Sequence, residues 1–533
     1  MQFTVSGTGC YLLVPVWCGQ KEYKFSFVID GKPFTTVLLP IAETVEPDYF
    51  ACLHISSGAN PEIAASTSHA AVITADVDGK RFNQELFQFS PVRPECKKDD
   101  ERPHIHFTAD TGWINDPNGL VYKDGIYHLY FQYNPFNNSW QNMSWGHATS
   151  NDLLHWTQQD TVLYPEEDYF IFSGSGIVNE HEQLSLPKDA LIFFYTLANK
   201  NKDGNERDFS QRYAFSTDGG NTLTKMAEPV IKTITSENRD PKVFWHEPTS
   251  SYICVLWLFD STYCILRSND LEHWEETQRL SFPPAWECPD LFKLECSETG
   301  EAKWVFWSAD GYYLLGSFDG RTFSEEQEMQ KTYRTPLAYA AQTYSNIPGK
   351  VISVAWLRTQ NTDKIYRGAM ALPREFSLVK KDDVYRIAHK PIAQYKALKK
   401  ELLTKDIDGS AEIAVPDGAF ELDISLSADE STKPSEQSIE LSSNGGPFQN
   451  IFTYQAQSGT LVTNANFEAE RKDFGFKAIK FGKTERLHCT FDGSLLEITG
   501  SDYTDIAHFE CVSTLGTRLT IHGTCKVTVF TLS

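Results

Sequence analysis

Positive charge is scarce in this sequence, and that scarcity limits the partners that the protein can bind. The 533 residues include 48 lysines and arginines against 71 aspartates and glutamates, which gives a formal net charge of −23 at pH 7. A chain with this charge is repelled by the phosphates of nucleic acids and by anionic lipid headgroups. We therefore expect neither nucleic acid nor a membrane as a partner.

Long apolar runs and paired cysteines are missing as well. No stretch approaches the about 20 apolar residues that a membrane-spanning helix needs, and the opening MQFTVSGTGCYLLVPVWCGQ is typical of strands and lacks a basic leader. The eleven cysteines are odd in number and include no CxxC pair, so neither a disulfide framework nor a zinc site is favoured. These absences predict a reducing, cytoplasmic compartment.

One short phrase occurs four times in the middle of the chain. The copies are SNDLLHW, STDGGNT, SNDLEHW and SFDGRTF, which begin at Ser150, Ser216, Ser268 and Ser317. Their starts lie 66, 52 and 49 residues apart, close to the period of a four-stranded propeller blade. Each phrase follows a β-rich run, and its aspartate is expected to accept backbone hydrogen bonds within a turn.

The sequence predicts an all-β protein with three domains. The four repeats, together with a fifth blade from the strand around Val351 to Arg358 and the segment GAMALPREFSL, predict a five-bladed β-propeller over residues 101–385. Short strands of alternating character predict an additional small N-terminal β-domain over residues 1–100 and a C-terminal β-sandwich over residues 405–533. The apolar spacing in YKALKKELL predicts a helical connector within residues 386–404. The alternative interpretation of the repeats is a set of unrelated hairpins.

Three carboxylates stand beside proline turns where strand-like sequence begins. They are Asp116 in WINDPNG, Asp240 in ENRDPKVFW and Glu287 in AWECPDLF. Innermost propeller strands surround one axis, so we expect these side chains to meet there, in successive blades. Adjacent carboxylates repel one another, and this cost is typical of a catalytic site. The alternatives are an exposed turn at Asp116, a surface ion pair of Arg239 with Asp240, and a solvated loop at Glu287.

The same segments carry a resemblance to a known family. WINDPNG, FQYNP, FSGS, RDP and ECPD follow the order of the signature of glycoside hydrolase family 32, and RPHIHFTADTGWINDPNG and WGHATSNDLLHW are similar to its usual forms. That family contains invertases and fructan hydrolases. The resemblance covers residues 102–380, is weaker but compatible over the C-terminal sandwich, and does not extend to residues 1–100, whose domain is a departure from the family.

The resemblance implies a retaining glycoside hydrolase that cleaves β-fructofuranosyl bonds through a covalent fructosyl-enzyme intermediate. Such a mechanism needs a carboxylate that attacks carbon and a carboxylic acid that protonates the leaving oxygen. The resemblance assigns Asp116 as the nucleophile, Glu287 as the acid/base and Asp240 as the stabiliser of the transition state. The mechanism requires no metal and no other cofactor.

The substrate-binding residues that we expect follow from the same motifs and from polar or aromatic residues at strand ends. They are Asn115, Gln132, Trp140, Phe172, Ser173, Arg239, Tyr195, Gln342 and Trp356. For Tyr195, Gln342 and Trp356 the alternative is a place in the propeller core.

The expected partner is a small fructose-containing saccharide, either sucrose or a short fructo-oligosaccharide. The alternatives are a hydrolase of an unusual fructose disaccharide such as a difructose anhydride, a fructosyltransferase, an arabinose-releasing relative on the same fold, and an inactive sugar-binding propeller. Residues 1–100 are expected to narrow the leaving-group side of the pocket or to build a homo-oligomer, and the C-terminal β-domain also suits the second role.

Overall fold

The computed structural model consists of strands almost throughout. It describes residues 1–43, 45–55, 61–77, 82–96, 102–200, 208–360, 365–426, 438–443, 450–463, 477–511 and 518–533. Within these ranges the helical segments are the α-helices Pro61–Ser66 and Tyr395–Leu398 and the 3-10 helices Gln84–Leu86 and Glu247–Thr249. None of these helices has the length and apolar character to cross a membrane. The predicted all-β class is confirmed.

The N-terminal domain consists of two antiparallel sheets around one apolar core. The first sheet has the strand order Gln2–Thr8, Ser68–Ala75, Glu22–Ile29 and Lys32–Pro40, and the second has the order Tyr49–His54, Tyr11–Val16 and Gln88–Ser90. Every second side chain of Glu22–Ile29 is buried, as alternation along a half-buried strand requires. The core of this domain also contains Phe136 and Tyr164 from the following domain, so the two domains share their apolar packing.

The described residues between 112 and 391 form five antiparallel blades, and the first strand of each blade lies nearest the central axis. The strands of the blades, in chain order, are Gly112–Lys123, Ile126–Asn134, Ser144–Ser150 and Thr157–Gln158; Tyr169–Val178, Leu191–Asn199, Phe209–Ser216 and Thr224–Lys225; Arg239–His246, Ser251–Phe259, Thr262–Ser268 and Glu275–Ser281; Asp290–Glu295, Ala302–Trp307, Tyr312–Phe318 and Phe323–Lys331; and Ala338–Thr343, Val351–Leu357, Arg374–Lys381 and Val384–Pro391. Two short strands complete the ring. Ala369–Met370 pairs within blade five, and Tyr366–Arg367 pairs with Gly112 and Trp113 of blade one.

The four repeated phrases join the third and fourth strands of blades one to four. In each phrase the aspartate accepts backbone N–H groups from residues two to four positions ahead, and these aspartates are Asp152, Asp218, Asp270 and Asp319. The side chain thus replaces the hydrogen-bond partners that the turn lacks. The predicted turn chemistry and the five blades are both confirmed.

The C-terminal domain is the predicted β-sandwich. Its described strands, in sheet order, are Lys477–Lys480, Thr460–Thr463, Asn450–Gln455, Ser438–Ser443, Arg518–Leu532, Phe420–Leu426, Arg486–Asp492, Leu495–Gly500 and Ile506–Glu510, with Lys399–Ala414 paired to Arg518–Leu532. Side chains from both ends of this order meet in one apolar core.

The helical connector predicted over residues 386–404 is wrong apart from one turn. Val384–Pro391 belongs to blade five, Tyr395–Leu398 is a single helical turn, and Lys399–Ala414 is already a strand of the sandwich. That strand pairs along its whole length with Arg518–Leu532, a partner so distant in sequence that local spacing does not reveal it. The propeller therefore ends at residue 391 rather than 385, and the sandwich begins at residue 399 rather than 405.

A buried charged cluster joins the propeller to the sandwich. His106 Nδ1 lies 2.8 Å from Asp492 Oδ2, and His106 Nε2 lies 3.2 Å from Glu497 Oε1. Burial alone would lower the pKa of His106, but the hydrogen bonds and charges of the two carboxylates raise it to about 9. Arg374 of blade five also forms an ion pair with Glu497. This raised pKa favours the charged imidazolium of His106 at neutral pH.

Candidate active site

Four of the five innermost strands have a β-bulge at the level of the pocket. In blade one the pairing jumps from Ile114 to Pro117, so Asn115 and Asp116 together face Gln132. The same irregularity affects Phe172 and Ser173 in blade two, Asp240 and Pro241 in blade three, and Ala340 and Ala341 in blade five. A bulge bends its strand and re-aims side chains out of the regular ladder. The segment NDPNG is thus a bulge inside a strand and not the tight turn that its composition predicts.

Three residues of the site have backbone angles that side chains rarely adopt. The φ angles are 65° for Asp240, 49° for Glu287 and 38° for Cys288. Each such left-handed residue costs of order 1–3 kcal/mol unless its surroundings hold it. Here Cys288 N donates a hydrogen bond to Asp240 Oδ2 at 3.2 Å, which ties the two strained segments together. Strain at several neighbouring positions is typical of functional sites.

The three predicted acids converge on one pocket of about 410 Å³. They come from blades one and three and from the segment before blade four, rather than from successive blades. Oxygens of Asp116 and Asp240 and the sulfur of Cys288 lie within 4.8 Å of one another. The charge of Glu287 raises the pKa of both aspartates. The expected meeting of the three acids is therefore observed.

Asp116 accepts hydrogen bonds from Ser173 and Asn115, besides a longer contact with the Cys288 thiol. Ser173 Oγ donates to Oδ2 at 2.5 Å, and Asn115 Nδ2 donates to Oδ1 at 3.2 Å. Trp113 Nε1 donates to Asn115 Oδ1 at 3.0 Å and so orients that amide. Burial raises the pKa of Asp116, and the hydrogen bond from Ser173 opposes this rise. The donors favour the charged carboxylate that nucleophilic attack requires.

Glu287 is oriented through both of its oxygens. Arg239 donates to Oε1 through Nε, at 3.1 Å, and through Nη2, while the Tyr339 hydroxyl donates to Oε2 at 2.7 Å. Arg239 is itself placed over the ring of Trp257, with 4.0 Å between the guanidinium carbon and the ring centroid. Burial and the charge of Glu287 raise the pKa of Tyr339, so its hydroxyl stays protonated and donates.

Asp240 is buried among other charged groups. Burial raises the pKa of Asp240 to about 7; the charge of Arg239 opposes that rise, and the charges of Glu287 and Asp116 add to it. Cys288 Sγ lies 3.4 Å from Asp240 Oδ2 and 3.6 Å from Asp116 Oδ2. Burial raises the pKa of the Cys288 thiol, so Cys288 is a neutral donor between two acids. The cluster binds protons at neutral pH more readily than isolated carboxylates do.

A metal ion has one conceivable set of ligands in this pocket among the described residues. Asp116, Asp240 and Cys288 each offer one ligand atom. The protonated Cys288 thiol and the hydrogen bonds to both aspartates also suit acid–base and nucleophilic chemistry that uses no metal ion. The expectation that no metal is required stays a prediction.

An aromatic wall closes one side of the pocket. It consists of Trp140, Phe170, Phe172 and Phe209. The Trp140 ring lies edge-on to Phe170 at 5.6 Å and to Phe172 at 6.3 Å between centroids, and Phe172 lies edge-on to Phe209 at 6.1 Å. Such rings offer an apolar surface to the C–H face of a sugar, while the acids opposite offer hydrogen bonds.

Most of the predicted binding residues line this pocket. They are Asn115, Gln132, Trp140, Phe172, Ser173, Arg239 and Trp356. Tyr195 and Gln342 are outside the lining, which corrects two predictions. Tyr195 lies in the second strand of blade two and is buried against Trp145 between blades. Gln342 is buried beside the bulge of blade two, where its amide donates to Gly174 O at 3.3 Å.

Several lining residues were missed by sequence reasoning. They are Met143, Phe170, Asn199, Lys200, Phe209, Glu237 and Tyr339. Tyr339 is the most consequential of these because it contacts Glu287 directly. Its phrase AYAAQTY resembles any buried strand, and only the bulge at Ala340 and Ala341 aims the tyrosine at the pocket. No local signal separates it from the core aromatics.

Known proteins are similar to this chain in amino-acid sequence. The levanase of Bacillus subtilis (strain 168) is 33% identical over 333 residues, which cover 56% of this chain and 48% of the levanase. The extracellular exo-inulinase of Meyerozyma guilliermondii is 32% identical over 390 residues, which cover 65% of this chain and 74% of that protein. The match thus spans about half of the levanase and about three quarters of the inulinase.

A solved structure extends the similarity to the N-terminal domain. The glycoside hydrolase family 32 protein from Bifidobacterium adolescentis has a TM-score of 0.67 at 18% identity and covers 100% of this chain and 99% of its own. At this identity the likeness shows the fold alone. The N-terminal domain is therefore not a departure peculiar to this chain. The family model described as "Glycosyl hydrolases family 32 N-terminal domain" matches residues 106–391, more than half of the sequence. The chain therefore belongs to glycoside hydrolase family 32, as its motifs predicted.

Proposed function

We propose that this protein is a retaining β-fructofuranosidase-type hydrolase that acts on a small fructoside. The observation that carries the proposal is the convergence of Asp116, Asp240 and Glu287 on one pocket. Family membership and relatives named levanase and exo-inulinase support fructose as the sugar that is released. A pocket of about 410 Å³ is within the range of small-ligand sites, about 300–1,000 Å³, and suits sucrose or a short fructo-oligosaccharide.

In the first step Asp116 attacks the anomeric carbon and displaces the leaving oxygen. Glu287 transfers its proton to that oxygen, so the leaving sugar departs as an alcohol and a fructosyl ester of Asp116 remains. Ser173 and Asn115 orient the attacking carboxylate, while Arg239 and Tyr339 hold the acid/base in position. Asp240 hydrogen-bonds ring hydroxyls and stabilises the positive charge that develops at the anomeric carbon.

In the second step water replaces the leaving sugar. Glu287, now a carboxylate, takes a proton from the water. The water oxygen attacks the anomeric carbon and breaks the ester to Asp116. Two displacements at the same carbon restore its original configuration. A sugar hydroxyl in place of water would give transfer instead, so the choice between hydrolysis and transfer depends on what occupies the leaving-group side.

The decisive experiment replaces the nucleophile. Asp116→Asn keeps the size of the side chain but removes its charge, and we expect kcat to fall by about 10⁴-fold or more while fructose binding by calorimetry persists. The substrates are sucrose, a fructo-oligosaccharide, an arabinan and a difructose anhydride, with released sugars identified by chromatography. Asp319→Asn, at a blade turn, is the control that keeps activity.

Other outcomes of this experiment select other functions. Fructose binding without cleavage of any substrate by the unmodified protein would establish a sugar-binding propeller. Products longer than the substrate would establish a fructosyltransferase, and arabinose release would establish the arabinan-directed alternative.

We also propose that the protein works in a reducing, cytoplasmic compartment. All eleven cysteines are free thiols in the structure, which supports that placement. The exo-inulinase relative is described as extracellular, so cell fractionation followed by immunodetection is the direct test. A homo-oligomer formed through the N-terminal or C-terminal β-domain stays a prediction, which light scattering of the purified chain will check.

A further inference from the structure

Trp140 belongs to a loop whose position is set outside the propeller. We call residues 135–143 the wall loop; it connects the strands Ile126–Asn134 and Ser144–Ser150 of blade one. Trp140 is 46% exposed, and its ring makes edge-on contacts with Phe170 and Phe172. An exposed ring on a loop keeps a fixed orientation only if the rest of the loop is held.

After Trp140 the wall loop is held by Asn142. Leu38 N donates to Asn142 Oδ1 at 2.8 Å, and Asn142 Nδ2 donates to Leu38 O at 2.8 Å and to Asn134 Oδ1 at 3.1 Å. Leu38 lies in Lys32–Pro40, the edge strand of the four-stranded N-terminal sheet. The Asn142 amide therefore pairs with that edge as a neighbouring strand would. Asn142 is 2% exposed, so the paired groups have little access to water.

Before Trp140 the wall loop is held by Phe136 and Asn137. Phe136 is fully buried and packs in the core of the N-terminal domain, not in that of its own propeller. Asn137 Nδ2 donates to Glu22 Oε1 at 2.7 Å. Contacts with the N-terminal domain thus flank Trp140 on both sides along the chain.

A second contact links the N-terminal domain to the aromatic wall. Lys200 lines the pocket, and its ammonium donates to Glu166 O at 2.5 Å, to Glu167 O at 3.1 Å and to Thr36 O at 3.4 Å. The same ammonium lies 5.1 Å from the ring centroid of Phe170, the ring that Trp140 contacts. Thr36 belongs to the same edge strand as Leu38, so a single strand contacts both parts of the wall.

We propose that the N-terminal domain positions the aromatic wall of the sugar pocket. Asn142 is the positioning residue: its hydrogen bonds to the edge strand Lys32–Pro40 fix the wall loop and so the orientation of Trp140. The domain then affects fructoside affinity without contacting the sugar. This inference rests on the proposed function, because it explains how one wall of the same pocket is set. It also gives a domain outside the catalytic propeller a role in the reaction.

The test replaces Asn142 by an isosteric acid. In Asn142→Asp the acceptor for Leu38 N remains, but the donor to Leu38 O and Asn134 Oδ1 becomes a repelling oxygen. We expect kcat/KM for sucrose to fall about tenfold, mainly through KM, since two hydrogen bonds are lost. Amide exchange over residues 135–143 should rise. Tyr11→Phe, which removes a 3.1 Å contact between the same two domains at Asp160, is the matched control and should change neither quantity.

A double-mutant cycle with Trp140→Ala separates positioning from general stability. If Asn142 acts through the tryptophan, Asn142→Asp in the Trp140→Ala protein should change KM less than about twofold. The inference would be overturned if Asn142→Asp lowered kcat/KM tenfold both with Trp140 present and in the Trp140→Ala protein. Unchanged amide exchange in the wall loop of Asn142→Asp would overturn it as well. Glu22→Ala, which releases Asn137, gives the same comparison if Asn142→Asp does not fold.

Failure of the proposed function would look different. An unmodified protein that cleaves no fructoside would refute the hydrolase, but calorimetric binding of fructose to the same variants would still test the wall. An affinity loss in Asn142→Asp that disappears in the Trp140→Ala background supports positioning. Equal affinities in all variants overturn it.

Discussion

Raising the pH through about 9 should lower the free energy of unfolding of this protein, because a histidine buried at the junction between propeller and sandwich loses its proton. The pKa of His106 rises from its ordinary 6.5 to about 9 in the folded protein. A group whose pKa is raised by folding contributes its full stabilisation below 6.5 and loses it as the pH rises through 9. At about 1.4 kcal/mol per pH unit, the loss amounts to about 3 kcal/mol of the free energy of unfolding.

The groups around His106 keep their charge states across that window. Hydrogen bonding to His106 and to backbone amides lowers the pKa of Asp492 in spite of its burial, and the charges of Arg374 and His106 do the same for Glu497, so both acids stay ionised. Burial lowers the pKa of His508 to about 4, which keeps it neutral. In this cluster His106 is therefore the histidine that titrates above pH 6.5.

The measurement compares the unmodified protein with His106→Gln. Urea unfolding followed by tryptophan fluorescence should show the variant weakened by about 3–5 kcal/mol near pH 6.5, since the buried carboxylate of Asp492 loses its cation and that of Glu497 keeps only Arg374. The difference in the free energy of unfolding between the two proteins should shrink by about 3 kcal/mol as the pH approaches 10. Groups that titrate in both proteins, such as Lys200, whose pKa burial lowers to about 8, do not contribute to this difference. Parallel stability curves for the two proteins would refute the argument.

Three further predictions concern the pocket and the domain boundary. Tyr339→Phe removes a donor to Glu287 and should lower kcat/KM about tenfold and displace the pH–rate profile. Fructose affinity measured by calorimetry should increase as the pH rises through about 7, where Asp240 ionises and accepts stronger hydrogen bonds. The same increase of affinity with pH in the Asp240→Asn variant would contradict this. Phe136→Ala empties a site in the N-terminal core and should cost about 3–5 kcal/mol in urea unfolding; a loss below about 1 kcal/mol would argue against shared packing.

Local chemistry explains why so much of the architecture was predictable. The aspartate of each repeated phrase makes its hydrogen bonds within four residues, so the turn and the blade that it ends are visible in a few letters. The acids were visible for a different reason: Asp116, Asp240 and Glu287 stand in short motifs that a family shares. Those motifs predicted the pocket without any knowledge of its shape.

The failures have a common origin in contacts between distant segments. Apolar spacing in YKALKKELL suits a helix, but pairing with Arg518–Leu532 makes most of it a strand. Tyr195 and Gln342 have the residue types of a sugar site, yet packing between blades buries them outside the pocket lining. Tyr339 has the type of a core residue, yet the neighbouring bulge turns it toward Glu287.

The amino-acid sequence by itself determined the strands, the blade turns and the identity of the acids, because alternation, Asx turns and motifs act over a few residues. Only the tertiary structure decided which acids are strained and which have a raised pKa, which tyrosine holds Glu287, and that an N-terminal edge strand binds Asn142 of the wall loop. Those properties depend on burial and on through-space distances, which are set only when the three domains pack together.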